Sequence, residues 1–304
     1  MQTACVIGVD IGGTNFRIGA VKKGEITANF LRKMRVGEVL CTERPVDDLA
    51  AYLKEYCELL RQEKMQPQAV SIGFPATLDK ERKAVLQAPN VKFMENLPVV
   101  EELTKELGIP VVIEKDVSMA LFYDRMKYHL PECEVLTGCY FGTGIGNAVC
   151  IRGELLSGKN GTAGELGHIP VDGSTQLCGC GNRGCMENLA GGKYLSYLCQ
   201  SKYLQTRVGD MFRKHAEEPL LRQFVERMAM TVATEINILD PDYMIIGGGV
   251  PNMRDFPLEY LEERIHYHTR KPYPECGLNL IFAEDEEDKS VVGAAVYAVN
   301  KLKL

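Results

Sequence analysis

The stretch Ala4–Val21, ACVIGVDIGGTNFRIGAV, predicts the fold of the first part of the chain. Ala4–Asp10 is a nearly unbroken apolar run that ends in an aspartate, which is typical of a buried strand. Gly12 and Gly13 form a turn, and Phe16–Val21 continues as a second strand. A dinucleotide-binding fold would instead place a helix directly after the glycines. The segment therefore indicates a strand–turn–strand start.

The same arrangement returns in the middle of the chain. Cys139–Phe141 leads into the glycine turn GTGIG, and Asn147–Ile151 resumes as a strand. Apolar residues recur with helical spacing over Pro45–Lys64 and Pro219–Leu239, so helices alternate with the strands. Two matching halves predict a duplicated α/β architecture with a cleft between them.

Composition restricts the class of protein. The 304 residues are 45% apolar and 25% charged with a net charge of −6, which fits a soluble globular protein and argues against a nucleic-acid-binding face. No apolar run approaches the roughly 20 residues of a membrane span, and the start MQTACVIGVDIGG lacks the features of a signal peptide. Eleven cysteines without an export signal favour reduced thiols and a cytoplasmic protein.

The segment His168–Cys185, HIPVDGSTQLCGCGNRGC, contains a potential metal-binding set. The spacing H-x9-C-x-C-x4-C comes from His168, Cys178, Cys180 and Cys185. Three thiolates and one imidazole form a closed tetrahedral set for zinc and leave no open position for a substrate. The pattern therefore predicts a structural zinc. A zinc deaminase would need an open position together with H-x-E and P-C-x-x-C motifs, and the sequence has neither motif.

Three glycine-rich turns are candidates for binding a nucleotide, because backbone N–H groups approach phosphate oxygens closely where side chains are absent. In the first turn a carboxylate can also hold hydrated Mg²⁺. Ordinary hairpin and strand-to-loop turns are the alternative interpretations, and at the third turn an adenosine could lie against bare backbone. The candidate residues are Asp10, Gly12, Gly13, Thr14, Asn15 and Arg17, then Gly142, Thr143, Gly144 and Gly146, and finally Gly247, Gly248 and Gly249.

Asp116 is the candidate general base. It lies between a predicted strand, Pro110–Glu114, and a predicted helix, Val117–Tyr128, so capping the helix is its alternative role. Ligands bind at the carboxyl ends of strands in open α/β sheets, and a carboxylate there can accept the proton of a hydroxyl. Glu165 and Glu187 bracket the zinc motif, and their carboxylates are suitable partners for sugar hydroxyls.

Taken together, these motifs resemble the ROK family of bacterial sugar kinases. The similarity covers nearly the whole chain and rests on DIGGTNFR, GFPA, APN, the Asp116 region, GTGIG, GTAGELGH, CGCGNRGCME and DPDYMIIGGG. The resemblance implies two actin-like (ribonuclease H-like) ATPase domains with an interdomain cleft and a structural zinc loop. We expect a small α/β domain at 1–117, completed by a C-terminal helix at about 291–304, and a large α/β domain with the zinc motif at 118–290.

The resemblance also implies the ligands and the roles of the residues. ATP, Mg²⁺ and a hexose are expected, with phosphoryl transfer to the sugar 6-hydroxyl. Asp116 matches the catalytic base of the family and also contacts the sugar. Asn90, Glu165, His168 and Glu187 match further sugar contacts, and the histidine and three cysteines of the zinc motif match the family's zinc ligands. A homodimer is expected by the same resemblance.

Within the family, the chain is most similar to members that phosphorylate D-allose. The similarity lies in GFPA followed by Asp79, Lys80 and Arg82, in GTGIGNAV, GELGHIP and INILDPD, and in GGGV with Met253–Pro257. Lys115 stands where most members have an asparagine that helps to hold the sugar, and lysine can only donate hydrogen bonds. Phosphorylation of glucose or N-acetylmannosamine remains an alternative, as does a non-catalytic sugar sensor. A repressor is disfavoured, because the sequence begins at the first strand without a helix-turn-helix.

Overall fold

Strands and helices alternate along the computed structural model, which describes residues 2–88 and 91–304. The strands are β1 (Thr3–Ile11), β2 (Asn15–Lys22), β3 (Asn29–Arg35), β4 (Met65–Phe74), β5 (Thr77–Leu78), β6 (Val85–Gln87), β7 (Val111–Lys115), β8 (Val135–Phe141), β9 (Ile145–Ile151), β10 (Glu154–Leu155), β11 (Tyr243–Gly247) and β12 (Leu280–Phe282). The helices are α1 (Val36–Val39), α2 (Pro45–Gln62), α3 (Val99–Leu107), α4 (Asp116–Lys127), α5 (Glu187–Ala190), α6 (Gly192–Ser201), α7 (Met211–His215), α8 (Pro219–Leu239), α9 (Leu258–His268) and α10 (Lys289–Leu302).

The chain forms two compact units, each assembled from separate stretches of sequence. The first unit comprises Met1–Pro131, Ser157–Ala163 and Glu286–Leu304, and the second comprises Glu132–Leu156 and Gly164–Asp285. The first unit extends past the expected boundary at residue 117, because α4 packs against α10 of the same unit.

The sheet of the first unit has the strand order β3-β2-β1-β4-β7. The hairpin β1–β2 is antiparallel, whereas β4 runs parallel to both β1 and β7. Every residue from Cys5 to Ile11 is buried, because β1 is a central strand that is covered on both faces. One face packs on α2 and α3, and the other packs on α4 and α10.

The sheet of the second unit repeats this plan with the order β10-β9-β8-β11-β12. Its hairpin β8–β9 is antiparallel, and β11 runs parallel to both β8 and β12. The structure thus confirms that a strand–glycine turn–strand unit opens each half of a duplicated α/β architecture. Short strands and helices that lack a strong sequence pattern, α3 and α6 among them, were not predicted.

A buried carboxylate ties α8 to the second sheet. Glu235 accepts two hydrogen bonds from Asn147 Nδ2, at 2.7 and 2.8 Å, and a further one from the hydroxyl of Thr137. Burial raises the pKa of Glu235 to about 7, although both hydrogen-bond donors favour the ionised form. Among the described residues, no helix is both long and apolar enough to cross a membrane.

Candidate active site

Asp116 lies where the edge strand β7 of the first sheet gives way to α4. Lys115 occupies the N-cap position, and Asp116 is the first helical residue, with its Oδ1 atom accepting the N–H of Val117 at 2.8 Å. Lys115 therefore holds the N-cap position that was the alternative interpretation for Asp116, although its side chain makes no capping hydrogen bond. Because β1, β4 and β7 are parallel, their carboxyl ends lie along one edge of the sheet. This edge also carries Asp10, near the end of β1.

The pKa of the Asp116 carboxyl group is well above the ordinary value for an aspartate. Burial raises the pKa of Asp116 to about 7, and repulsion from the Asp10 carboxylate adds to this effect. The N–H of Val117 and the positive charge of Lys115 act in the opposite direction. A carboxylate whose pKa is close to neutrality is well matched to accepting a proton from a hydroxyl group.

Asp10 is held by two donors from different elements. Arg17 Nη1 donates to Asp10 Oδ2 at 2.8 Å, and Ser290 Oγ donates to the same oxygen at 2.8 Å. Arg17 stands directly opposite Asp10 in the β1–β2 hairpin, which explains the ion pair. The sequence-based expectation placed Arg17 with the nucleotide and missed Ser290, which lies at the start of α10 and 280 positions away.

The first glycine turn joins β1 to β2 as a tight hairpin. The N–H of Gly12 donates to the carbonyl oxygen of Asn15 at 2.9 Å, and the carbonyl of Thr14 accepts the N–H of Val36. Gly13, Thr14 and Asn15 are exposed to solvent. Their polar groups are therefore accessible to a ligand at the same edge of the sheet as Asp10.

The second glycine turn joins β8 to β9, and the start of α6 is hydrogen-bonded to it. Gly142 N–H donates to the carbonyl of Gly144 at 3.0 Å and closes the turn. The N–H of Gly192 donates to the carbonyl of Gly142 at 2.8 Å, and that of Lys193 donates to the carbonyl of Thr143 at 2.9 Å. The turn extends to Gly146 at the start of β9. It is therefore held by hydrogen bonds from the start of α6 as well as by those of its own hairpin.

Glu187, the first residue of α5, also contacts the second glycine turn. Its Oε2 atom accepts the N–H of Ile145 at 3.0 Å. A side chain at Gly144 would clash with this carboxylate, so the Glu187 side chain would have to leave its hydrogen bond to make room. Glu187 was predicted as a sugar contact, and the structure adds a contact with a candidate phosphate-binding turn in the same unit.

The third turn follows β11. The N–H of Val250 donates to the carbonyl of Phe141 at 2.9 Å, which folds the chain back over the end of β8. A side chain at Gly247 would meet the ring of Tyr140, and Gly248 has φ of +94°. Packing and backbone conformation thus account for two of these glycines. Gly249 is exposed.

The predicted zinc ligands are close together within the second unit. One ligand atom each from His168, Cys178, Cys180 and Cys185 lies within 4.8 Å of all the others. His168 Nδ1 is 3.6 Å from Cys178 Sγ, and the Sγ atoms of Cys180 and Cys185 are also 3.6 Å apart. Three sulfur donors and one imidazole nitrogen in such a cluster fit tetrahedral zinc.

Backbone pairing shapes the loop around this cluster. The N–H of Cys178 donates to the carbonyl of Asn182, and the N–H of Gly181 donates to that of Cys178, so the first two cysteines lie on one tight turn. Pro170 and Cys185 form an antiparallel bridge that returns the chain to the histidine end of the loop. The loop therefore brings together ligands that are up to 17 positions apart.

Glu165 lies beside the other nitrogen of the histidine ring. Its Oε2 atom is 3.7 Å from His168 Nε2, and its side chain is 48% exposed. A carboxylate in this position can orient an imidazole whose opposite nitrogen faces a metal. Asn90, the remaining predicted sugar contact, lies outside the described residues.

The ROK family model matches residues 6–301, and the chain therefore belongs to the ROK family. The glucokinase of Thermotoga maritima is 29% identical over 316 residues, which cover 95% of this chain and 96% of the relative. The N-acetyl-D-glucosamine kinase of Vibrio cholerae is 29% identical over 283 residues, covering 86% of this chain and 89% of the relative.

A solved structure gives the same result at the level of the fold. The chain is similar to a ROK family glucokinase from Streptomyces griseus in complex with glucose and AMPPNP, with a TM-score of 0.77 and 25% sequence identity. The match covers 97% of this chain and 99% of that one. Family membership and this structural similarity confirm the expected actin-like α/β fold.

Proposed function

We propose that the protein is an ATP-dependent hexose kinase that phosphorylates the 6-hydroxyl of an aldohexose, with D-allose as the preferred sugar. The observation that carries this proposal is Asp116, a carboxyl group with a pKa of about 7 at the carboxyl edge of a parallel strand. Membership of the ROK family and two sugar-kinase relatives support the reaction class.

Asp116 acts as the general base in this proposal. The carboxylate orients the sugar 6-hydroxyl and accepts its proton late, while the phosphoryl group passes through a loose transition state. A positioned base of this kind contributes ~10²–10⁴-fold to the rate. Arg17 and Ser290 hold the Asp10 carboxylate close to Asp116, and this proximity helps to keep the pKa of the base near neutrality.

The nucleotide is assigned to the glycine turns. The backbone N–H groups of the first two turns, with the hydroxyls of Thr14 and Thr143, bind the β- and γ-phosphates. The third turn lies against the adenosine. The acidic edge of the first unit fits Mg²⁺, because the repulsion between two neighbouring carboxylates is relieved by a cation. Asp10 would hold the hydrated ion, which offsets phosphate charge.

The sugar is assigned to residues around the zinc motif. Glu165, His168 and Glu187 bind ring hydroxyls, together with Asn90 and Asp116. Zinc held by the histidine and three cysteines serves as a structural ion, since the set has no open position. His168 would be oriented by the ion that it ligates, and Cys185 as a ligand would fix Glu187 two residues later.

The preference for D-allose rests on sequence similarity around GFPA, GTGIGNAV and GGGV and on Lys115. D-Glucose and N-acetyl-D-glucosamine are the comparison sugars, because the relatives are a glucokinase and an N-acetyl-D-glucosamine kinase. N-Acetylmannosamine completes the set. We also propose a homodimer, on family resemblance, and sedimentation equilibrium of the purified protein tests it.

The deciding experiment measures ADP release from ATP over a panel of these four sugars. We expect sugar-dependent turnover that is highest with D-allose, and a product that carries its phosphate on carbon 6 by phosphorus-coupled NMR. Asp116→Asn should retain sugar binding by calorimetry and lose at least ~10²-fold in turnover. Sugar binding without any sugar-stimulated consumption of ATP would identify a sensor instead.

A further inference from the structure

The segment Ser157–Ala163 belongs to the first unit, whereas the residues on both sides of it belong to the second. Two cationic side chains bind its main chain. Lys115 Nζ donates to the carbonyl oxygen of Ala163 at 3.1 Å, and Arg82 Nη2 donates to the carbonyl oxygen of Gly161 at 3.2 Å. The segment is therefore anchored at two points that are two residues apart.

Arg82 is itself firmly held. Its Nε atom donates to Glu114 Oε2 at 2.8 Å, and its Nη1 atom donates to the carbonyl of Asp79 at 3.0 Å. The side chains of Arg82 and Glu114 are only 11% and 2% exposed, and Tyr297 approaches the same carboxylate oxygen at 3.4 Å. A guanidinium already held by two hydrogen bonds presents its Nη2 donor to Gly161 in a defined position.

The segment fits against Arg82 without spare room. Gly161 has φ of +75°, and a side chain there would lie 2.6 Å from Arg82 Nη1 and 3.2 Å from Lys80 Cα. The N–H of Ala163 donates back to the carbonyl of Ser157 at 3.1 Å and closes the segment on itself. The contact is thus a close backbone approach and cannot shift without breaking hydrogen bonds.

One donor of this contact and one end of the segment lie next to residues of the proposed site in the sequence. Lys115 precedes the general base Asp116, and Ala163 precedes Glu165 by two positions. We propose that Lys115 and Arg82 are positioning residues for sugar selectivity, because they fix the main chain that leads into Glu165. This inference rests on the proposed hexose kinase function and extends it to the choice of sugar.

Hydrogen-bond geometry explains how an indirect contact can select a sugar. Aldohexose epimers differ in the direction of a single hydroxyl, and a hydrogen bond weakens steeply outside about 2.7–3.2 Å. A site built to bond a particular hydroxyl discriminates strongly against a sugar that leaves its polar groups unpaired. A small shift of the Gly161–Glu165 main chain should therefore change which epimer is accepted.

The test compares Lys115→Met with Lys115→Arg and with Lys159→Met. The first variant removes the donor, the second retains charge and donor, and the third removes the same charge from an exposed lysine of the anchored segment. kcat/KM is measured for D-allose, D-glucose, N-acetyl-D-glucosamine and N-acetyl-D-mannosamine. Lys115→Met should change the ratio between the best and second sugar by about tenfold or more. The other two should keep it within about threefold of wild type.

A pH series separates the anchor from a simple charge effect. Removing the Lys115 charge also acts on the neighbouring Asp116, but that effect shifts the pH profile for every sugar alike. Gly161→Ala disturbs the other anchor, the contact with Arg82, without altering any charge. It should change the sugar ratio with an unshifted pH profile, and it provides the test if Lys115→Met fails to fold by circular dichroism.

Unchanged sugar ratios in correctly folded Lys115→Met or Gly161→Ala would overturn the proposal while leaving the kinase assignment intact. If wild-type protein phosphorylates none of the sugars, the kinase assignment fails instead. The same variants then report on the anchor through calorimetric sugar affinities, whose ratios should shift by the same factor if the anchor acts as proposed.

Discussion

The carboxylate of Glu187 accepts a hydrogen bond from the backbone N–H of Ile145 at 3.0 Å. Glu187 follows the last zinc-motif cysteine by two residues, and Ile145 belongs to the second glycine turn. The N–H of Gly192 reinforces the connection by donating to the carbonyl of Gly142. Two motifs that the sequence assigned to different substrates are thus physically joined within one unit, and a disturbance of either should reach the other.

Removing zinc should therefore weaken the binding of both substrates. We expect one zinc per chain by mass spectrometry, and its loss on chelation or in Cys178→Ala. Calorimetry should then show reduced affinity for the sugar, because Glu165 and Glu187 lose their support, and also for a non-hydrolysable ATP analogue. Cys276→Ser, at an exposed cysteine outside the cluster, is the matched control. Metal-free protein with both affinities intact would refute the structural role.

Gly144→Ala should selectively impair nucleotide binding. The added methyl group clashes with the Glu187 carboxylate, so either the turn or the carboxylate must move. A displaced carboxylate loses its hydrogen bond to Ile145, which is worth about 1.5–3 kcal/mol for a charged acceptor, and we expect KM for ATP to rise by roughly tenfold. Gly209→Ala, outside the glycine turns, has open space for its methyl group and serves as the control. Equal ATP KM values in both variants would count against the contact.

The pH dependence of kcat/KM should follow the titration of Asp116. Its pKa of about 7 means that the free enzyme carries a protonated, inactive base in acid. kcat/KM should accordingly rise about tenfold per pH unit below 7 and level off above it. Lys115→Met should move the rise to higher pH, because the lysine charge favours the ionised carboxylate. A profile that is flat from pH 5.5 to 8 would remove Asp116 from this role.

Much of the fold is predictable because its signals are local. β1 and β11 contain continuous apolar runs, and α8 is marked by a proline at its first residue and by Asp240 after its last. α3 escaped prediction because it is only nine residues long between Pro98 and Gly108. The apolar spacing over so few residues does not separate a helix from a loop.

The candidate site also combines features that the local sequence predicts with contacts that it does not predict. Zinc ligands within 18 residues of one another can be identified from spacing, since the loop between them brings them together. The contact of Ser290 with Asp10 and that of Lys115 with Ala163 join distant parts of the chain. Arg17 was predicted among the nucleotide-binding residues, and that stays a prediction; strand register also pairs it with Asp10. Such contacts depend on tertiary structure and carry no local sequence signal.

Asp116→Asn should increase stability at alkaline pH while it removes activity. The folded-state pKa of about 7 is above the unfolded value near 4, so the folded protein retains a proton that the unfolded chain loses. Stability therefore falls as pH rises from about 4 through 7, and the ionised group destabilises the fold above that range. A neutral asparagine avoids this cost, and we expect a gain of about 1–3 kcal/mol in unfolding free energy at pH 8.

The same substitution two turns further along α4 should have the opposite effect. Asp124, also on α4, is fully buried and pairs with Lys289 at 2.6 Å. Asp124→Asn leaves the buried lysine without a full counter-charge, and the loss of a buried ion pair costs about 3–5 kcal/mol. Urea unfolding at pH 4 and pH 8 distinguishes the two variants. Only Asp116→Asn should become more stable relative to the wild type as the pH rises. A gain that is equal at both pH values would show that Asp116 does not titrate in this range.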